Sequence, residues 1–140
     1  MAVVKAYAYG SDSVAIAKHL QELGTDYFAV AYVNEGITLR EGGITAPILV
    51  LHPQKVHFTS LIEHRLEPSI YSQSILTDFI ATANAMNIVD YPVHLKFNTG
   101  LNRLGFSADE LPIIASLVEQ QKAIKIVAVL SHLAATEDPD

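Results

Sequence analysis

The sequence predicts an α/β fold with parallel strands, on three observations. Short apolar runs recur at twenty-odd-residue intervals. The segments between them carry apolar residues at helical spacing, and capping or stop residues bound several of those segments. Strand and helix alternating without interruption implies parallel strands joined by right-handed crossovers. A (β/α)8 barrel and a doubly wound sheet share that alternation. No Gly-x-Gly-x-x-Gly follows the first run, which argues against a dinucleotide site.

The first strand is predicted from Ala2 to Lys5. A helix follows over Ser11 to Leu23, with Val14, Ile16, Ala17, Leu20 and Leu23 on its apolar side and Gly24 as its stop. Tyr27 to Ala31 reads as the second strand. Asn34 is placed to cap a short helix ending near Gly42-Gly43. Ile48 to Leu51 is the third strand, Glu63-His64-Arg65 an exposed helix end, and Ser69 to Tyr71 the fourth strand. The longest periodic stretch, Ser72 to Asn87, puts Ile75, Leu76, Phe79, Ile80 and Ala83 on one helical face. Val93 to Phe97 is the fifth strand. Ser107 and Glu110 have the spacing of a capping box, opening a helix to about Lys122. Lys125 to Leu130 completes six strands, two short of a closed (β/α)8 barrel.

The 140 residues amount to one domain or less, and their 50% apolar content suffices for a sizeable core. A net charge of -6 makes nucleic acid an unsuitable partner, because phosphate binding needs clustered Lys and Arg. With no cysteine there is no disulfide or thiolate metal site, consistent with a reducing cytoplasm. Lys5 interrupts the only N-terminal apolar run, so no signal peptide is expected, and no run is long enough to span a bilayer. His52, His57 and His64 fit neither one strand face nor one helical face, so they read as solvated rather than as metal ligands.

Lys5 is the first residue that points to chemistry. It ends a buried strand, where parallel α/β folds place their active sites, although an amine there can also simply reach out from the rim. The run Val3-Val4-Lys5-Ala6-x-Ala8-Tyr9-Gly10 resembles the cofactor-lysine segment of the alanine racemases. Three further segments resemble the same family in the same order. The first runs from Gly36-Ile37 through Leu39-Arg40 and Gly43-Ile44 to Pro47-Ile48-Leu49-Val50-Leu51. The second is His94 to Phe106, ending Thr99-Gly100-x-x-Arg103-Leu104-Gly105-Phe106, and the third is Ser131-His132-Leu133-Ala134.

The resemblance implies a pyridoxal 5'-phosphate enzyme built on part of a (β/α)8 barrel, with about six βα units in residues 1–140. It implies that the family's C-terminal β-domain lies outside this sequence. It implies a homodimer interconverting L- and D-alanine for peptidoglycan in the cytoplasm. Lys5 would carry the cofactor and act as one of the two bases moving the α-proton. The family's second base is a tyrosine of the partner subunit's C-terminal domain. Tyr9 would meet the cofactor phosphate, whereas Tyr7 reads as packing over the rim. Arg103 would reach the cofactor's ring oxygen and hold substrate with its donor fork. Lys96 shares a strand face with His94 and Asn98 and would be carbamylated. His132 would pack on the pyridine ring, between apolar walls from Val3 and Leu51. This sequence departs from the family at Tyr7 (usually Asn), Ser11 (usually His) and Asn98 (more often Asp). Two alternatives remain at this stage. One is a truncated barrel without activity; the other is a pyridoxal-phosphate-binding homeostasis-type protein.

Overall fold

Each apolar run becomes a strand in the computed structural model, which describes residues 1–135. The chain forms two compact units, Met1–Ser69 and Ile70–Asp140. The first holds four parallel strands: β1 (Ala2–Val3), β2 (Phe28–Val30), β3 (Ile48–Val50) and β4 (Glu67–Ile70), whose last residue belongs to the second unit. They pair in sequence order, with Val3 beside Ala29, Val30 beside Val50, and Val50 beside Pro68. All of β2 and β3 is buried. That is why their residues are apolar without alternation, as in parallel strands covered on both faces.

Three helices cover this sheet: α1 (Ser13–Glu22), α2 (Val33–Glu41) and α3 (Phe58–Glu63). Asp12 caps α1, its Oδ1 accepting from the amides of Val14 and Ala15 at 3.0 Å each. The expected cap of the second helix is corrected. Tyr32 occupies the N-cap position and Asn34 lies within the first turn. Glu63 is the exposed last residue of α3, and Arg65 beyond it is exposed too, but His64 is half-buried with Nδ1 2.7 Å from the Ser60 carbonyl.

Arg40 explains much of the Gly36 to Leu51 motif without any chemistry. Its guanidinium donates to the carbonyls of His64 (3.0 Å), Ile44 (2.8 Å), Ala46 (2.6 Å) and Arg65 (2.9 Å). One fork thereby ties together the loops before β3 and β4. Gly36 packs closely, since a Cβ there would sit 2.8 Å from a Leu66 methyl and oblige that side chain to shift.

The second unit contains α4 (Gln73–Ala85), β5 (Tyr91–Phe97), α5 (Leu111–Glu119) and β6 (Ile124–Ser131). Ser72 caps α4, and Phe79 packs on Tyr91 with ring centroids 5.7 Å apart. The Ser107–Glu110 capping box forms, with the Glu110 carboxylate accepting from the Ser107 amide at 2.8 Å. It first opens a short 3-10 turn, Ala108–Glu110, and α5 ends at Glu119 rather than near Lys122. β5 and β6 pair in parallel with a bulge after Val93. β6 is exposed along most of its length, Val129 being 65% exposed. The α/β reading, six parallel strands alternating with helices as in part of a barrel, therefore holds. No helix among the described residues is long and apolar enough to cross a membrane.

Candidate functional site

The residues singled out by sequence lie on strands and on the loops that follow them, some in each unit. β1 ends at Val3 rather than at Lys5, so Lys5 opens the following turn, half-buried behind Val4, whose amide donates to the Ala29 carbonyl at 2.9 Å. The next four residues do something the sequence does not announce. Ala6, Tyr7, Ala8 and Tyr9 all adopt left-handed backbone, with φ between 50° and 61°, and Gly10 follows at 97°. For L-residues this costs about 1–2 kcal/mol each, so a run of four needs external support.

Three hydrogen bonds join the turn to residues outside it. The Ala8 amide donates to the Val4 carbonyl at 3.1 Å, and the Ser11 amide to the Tyr7 carbonyl at 2.6 Å. The third comes from a separate element: the Ala6 amide donates to Glu35 Oε1 at 2.7 Å. Glu35 Oε2 meanwhile accepts from the amides of Ala31 (2.7 Å) and Tyr32 (2.9 Å). A hydrogen bond to a charged group contributes about 1.5–3 kcal/mol, and a carboxylate in the first turn also suits the helix dipole. Glu35 is the residue that sequence reasoning missed. The available signal was a Glu at the third position of a helix, hidden by assigning the cap to Asn34.

The turn presents its aromatic side chains to solvent. Tyr9 is 70% exposed at the carboxyl ends of the strands, where a phenol can meet an anion. Tyr7 is 77% exposed. The expectation that Tyr7 packs over the rim is corrected: it borders a shallow cleft of about 200 Å³ with Val4, Ser13, Asn34 and Thr38. Val3 is partly exposed on β1, and Leu51 lies half-buried just past β3. His52 and His57 are half-buried rather than solvated, lining a cleft of about 250 Å³ with Tyr32 and Gln54. The His52 ring meets Tyr32 edge-on, and this contact draws it in.

In the second unit, Lys96 lies near the end of β5, 7% exposed, with His94 buried two residues before it. Burial holds the Lys96 amine below the usual lysine range, and the Arg103 charge lowers it further. These two residues are thus close enough to repel.

Arg103 is carried on a loop that returns to its own strand. The Phe106 amide donates to the Lys96 carbonyl at 2.8 Å, and the Asn98 amide to the Phe106 carbonyl at 2.9 Å. Phe106 is fully buried against Phe97, with centroids 5.9 Å apart. Asn98 organises the interior, its Oδ1 accepting from the amides of Gly100 (3.1 Å) and Asn102 (3.0 Å). An aspartate oxygen could accept the same two bonds, but only the amide also donates, from Nδ2 to Asn102 Oδ1 at 2.8 Å. Gly105 is obligatory: at φ 137°, a Cβ would lie 2.6 Å from the backbone of Phe97 and Asn98.

The exposed Arg103 borders a cleft of about 360 Å³ with Tyr71, Ser72, Asn98, Asn102 and Leu104. Tyr71 is a second residue not anticipated from sequence, its hydroxyl pushed up by burial. His132 is exposed one residue past β6, where Ser131 Oγ hydrogen-bonds Thr99 Oγ1.

Within the first unit, Lys5 and Tyr9 therefore share one rigid turn. Within the second, Lys96 and Arg103 interact. A half-buried amine on a fixed turn with an exposed phenol four residues on is a donor set that fits an aldehyde carrying a phosphate. No group of three or more His, Asp or Glu among the described residues could hold a metal.

Comparison with known proteins follows the same lines. The family model for the alanine racemase N-terminal domain matches residues 1–140. The alanine racemase of Synechocystis sp. is 36% identical over 147 residues, covering 100% of this chain and 38% of that protein. The solved alanine racemase of Clostridium difficile superposes with a TM-score of 0.90 at 31% identity, over 98% of this chain and 36% of the other. That of Corynebacterium glutamicum gives 0.91 at 27% identity, over 99% and 40%. The chain thus spans well under half the length of these relatives.

Proposed function

Because the chain belongs to the alanine racemase N-terminal domain family, we propose that it is the lysine-bearing part of an isomerase that interconverts L- and D-alanine using pyridoxal 5'-phosphate. The observation that carries this reading is the placement of Lys5, half-buried just past β1 and followed by a turn held in one conformation. When bound, the cofactor supplies an electron sink for the carbanion formed at the substrate's α-carbon.

This chain's residues divide the remaining work. The Lys5 amine holds the cofactor and moves the α-proton on one face. Tyr9 donates its hydroxyl to the phosphate, and Val3 and Leu51 form apolar walls. Arg103 holds the ring oxygen and the substrate carboxylate with a fork of fixed donors, and His132 packs on the ring. Carbamylation of Lys96 has a physical basis in its surroundings. Only a neutral amine attacks carbon dioxide, and burial and Arg103 both favour that form. As the N–C bond forms the nitrogen releases one proton to solvent, and the resulting carbamate is an anion, which turns repulsion of Arg103 into attraction.

Racemisation needs a base on each face of a planar carbon, and the second is assigned to a tyrosine of the partner subunit in a homodimer. The physiological setting assigned to the enzyme is cytoplasmic supply of D-alanine for peptidoglycan. Since preorganised groups act as a unit, the 140 residues alone are expected not to exchange the alanine α-proton with solvent.

The test is to titrate the purified chain with pyridoxal phosphate, reduce with borohydride and map the labelled peptides. Label confined to Lys5 supports the reading. Label scattered over surface lysines such as Lys18, Lys55 and Lys122 contradicts it.

A further inference from the structure

We propose that Glu35 is a positioning residue for Lys5, acting through the Ala6 amide; this deepens the reading above and rests on it. Four consecutive non-glycine residues after Lys5 sit in left-handed backbone that L-residues avoid. The bonds to the flanking Val4 and Ser11 are local in sequence and would move with the turn. The Glu35 bond alone ties the turn to a separate element, 29 residues away, and it lands on the residue directly after Lys5. The direction in which Lys5 leaves β1 is therefore set by a carboxylate on α2.

Glu35 is itself held from the other side. Its second oxygen accepts two amides at the junction of β2 and α2, so the side chain is fixed before it meets the turn. The carboxylate is a bridge with one oxygen for each loop. A structural helix cap would need only the Oε2 half. The Oε1 half has no capping purpose, and its one partner is the lysine turn.

This division makes a selective test possible with Glu35→Gln. Glutamine also serves at this helix position, its carbonyl oxygen facing Ala31 and Tyr32. Its amide NH2 then faces the Ala6 N–H, donor against donor, so only the link to the turn is cut. Glu110→Gln is the matched control, the same exchange in the capping box before α5.

The readouts are thermal unfolding, the pyridoxal phosphate concentration that half-labels Lys5 after borohydride reduction, and amide exchange over residues 5–10. The proposal expects Glu35→Gln to unfold within a few degrees of the parent chain. It should need about tenfold to a hundredfold more cofactor to label Lys5, the factor that a lost charged hydrogen bond carries. Exchange should quicken in residues 5–10 and not in β2 or β3. Glu110→Gln should label like the parent. Labelling of Glu35→Gln at the parent's concentration overturns the proposal.

Should Glu35→Gln lose its fold as a whole, the parent chain decides. An Ala6 amide that exchanges more slowly than the Tyr7 amide of the same turn supports the bridge, and equal rates of these two overturn it. Failure of the parent chain to label Lys5 at all is a failure of the proposed function, read separately from Ala6 exchange.

Discussion

The lysine turn and the arginine loop solve the same problem in opposite ways. Each follows a strand, each carries a cationic side chain, and each bends through left-handed backbone. The arginine loop does so with local means. Glycines occupy positions 100 and 105, Asn102 takes a third left-handed position, and Asn98 supplies the acceptor that ties the interior. The lysine turn puts alanines and tyrosines where glycine would be easier, and borrows Glu35 from another element. A loop encoded locally is readable as a motif; a loop held by a distant partner is not.

The comparison can be broken most forcefully at Gly105. Gly105→Ala forces a Cβ onto backbone 2.6 Å away and should cost about 2–4 kcal/mol in urea unfolding. A cost below about 0.5 kcal/mol would mean the loop is not packed as described. Next comes Asn98→Ala, which leaves two amides without their acceptor and should cost about 1–2 kcal/mol. Asn98→Asp keeps that oxygen and loses only the Nδ2 bond to Asn102 Oδ1, so it should cost less than the alanine in the same unfolding experiment.

In the lysine turn the sign reverses. Ala8→Gly removes left-handed strain at a residue with φ 50°, offset by the added freedom of the unfolded chain. A gain of about 0.5–1 kcal/mol in denaturant midpoint is expected. A loss would show that the turn is not left-handed in solution.

The smallest effect concerns Lys96. Its native-state amine titrates below the usual lysine value, through burial and then through Arg103. The unfolded chain therefore binds the proton more readily, and the native state bears the penalty at any pH below its lowered value. As pH rises from that value toward the ordinary lysine range, the penalty disappears and stability increases. In buffer freed of carbon dioxide, where the amine stays unmodified, Lys96→Met should be slightly more stable than the parent at neutral pH, and that difference should shrink as alkaline pH is approached. An unchanging gap across that range would argue against the shift.

The strands were legible because buried parallel strands permit few residue types, and Ile48-Leu49-Val50 could hardly be read otherwise. The Ser107–Glu110 box was legible because its two halves are only three residues apart in sequence. What sequence concealed was tertiary. Nothing in Lys5-Ala6-Tyr7-Ala8-Tyr9 signals left-handed backbone, since propensity alone points elsewhere. Arg40 belonged to a segment with a functional resemblance, yet its four carbonyl partners make it a loop fastener. Burial of His52 depends on Tyr32, which is 20 residues away and meets it only in the fold.

The most direct test of the account is an absorbance titration of the chain with pyridoxal phosphate, run beside Lys5→Arg. The account predicts a visible band that saturates near one equivalent and is missing from the arginine variant, which keeps the charge but cannot form the link. A band of equal amplitude in both, or in neither, would contradict it.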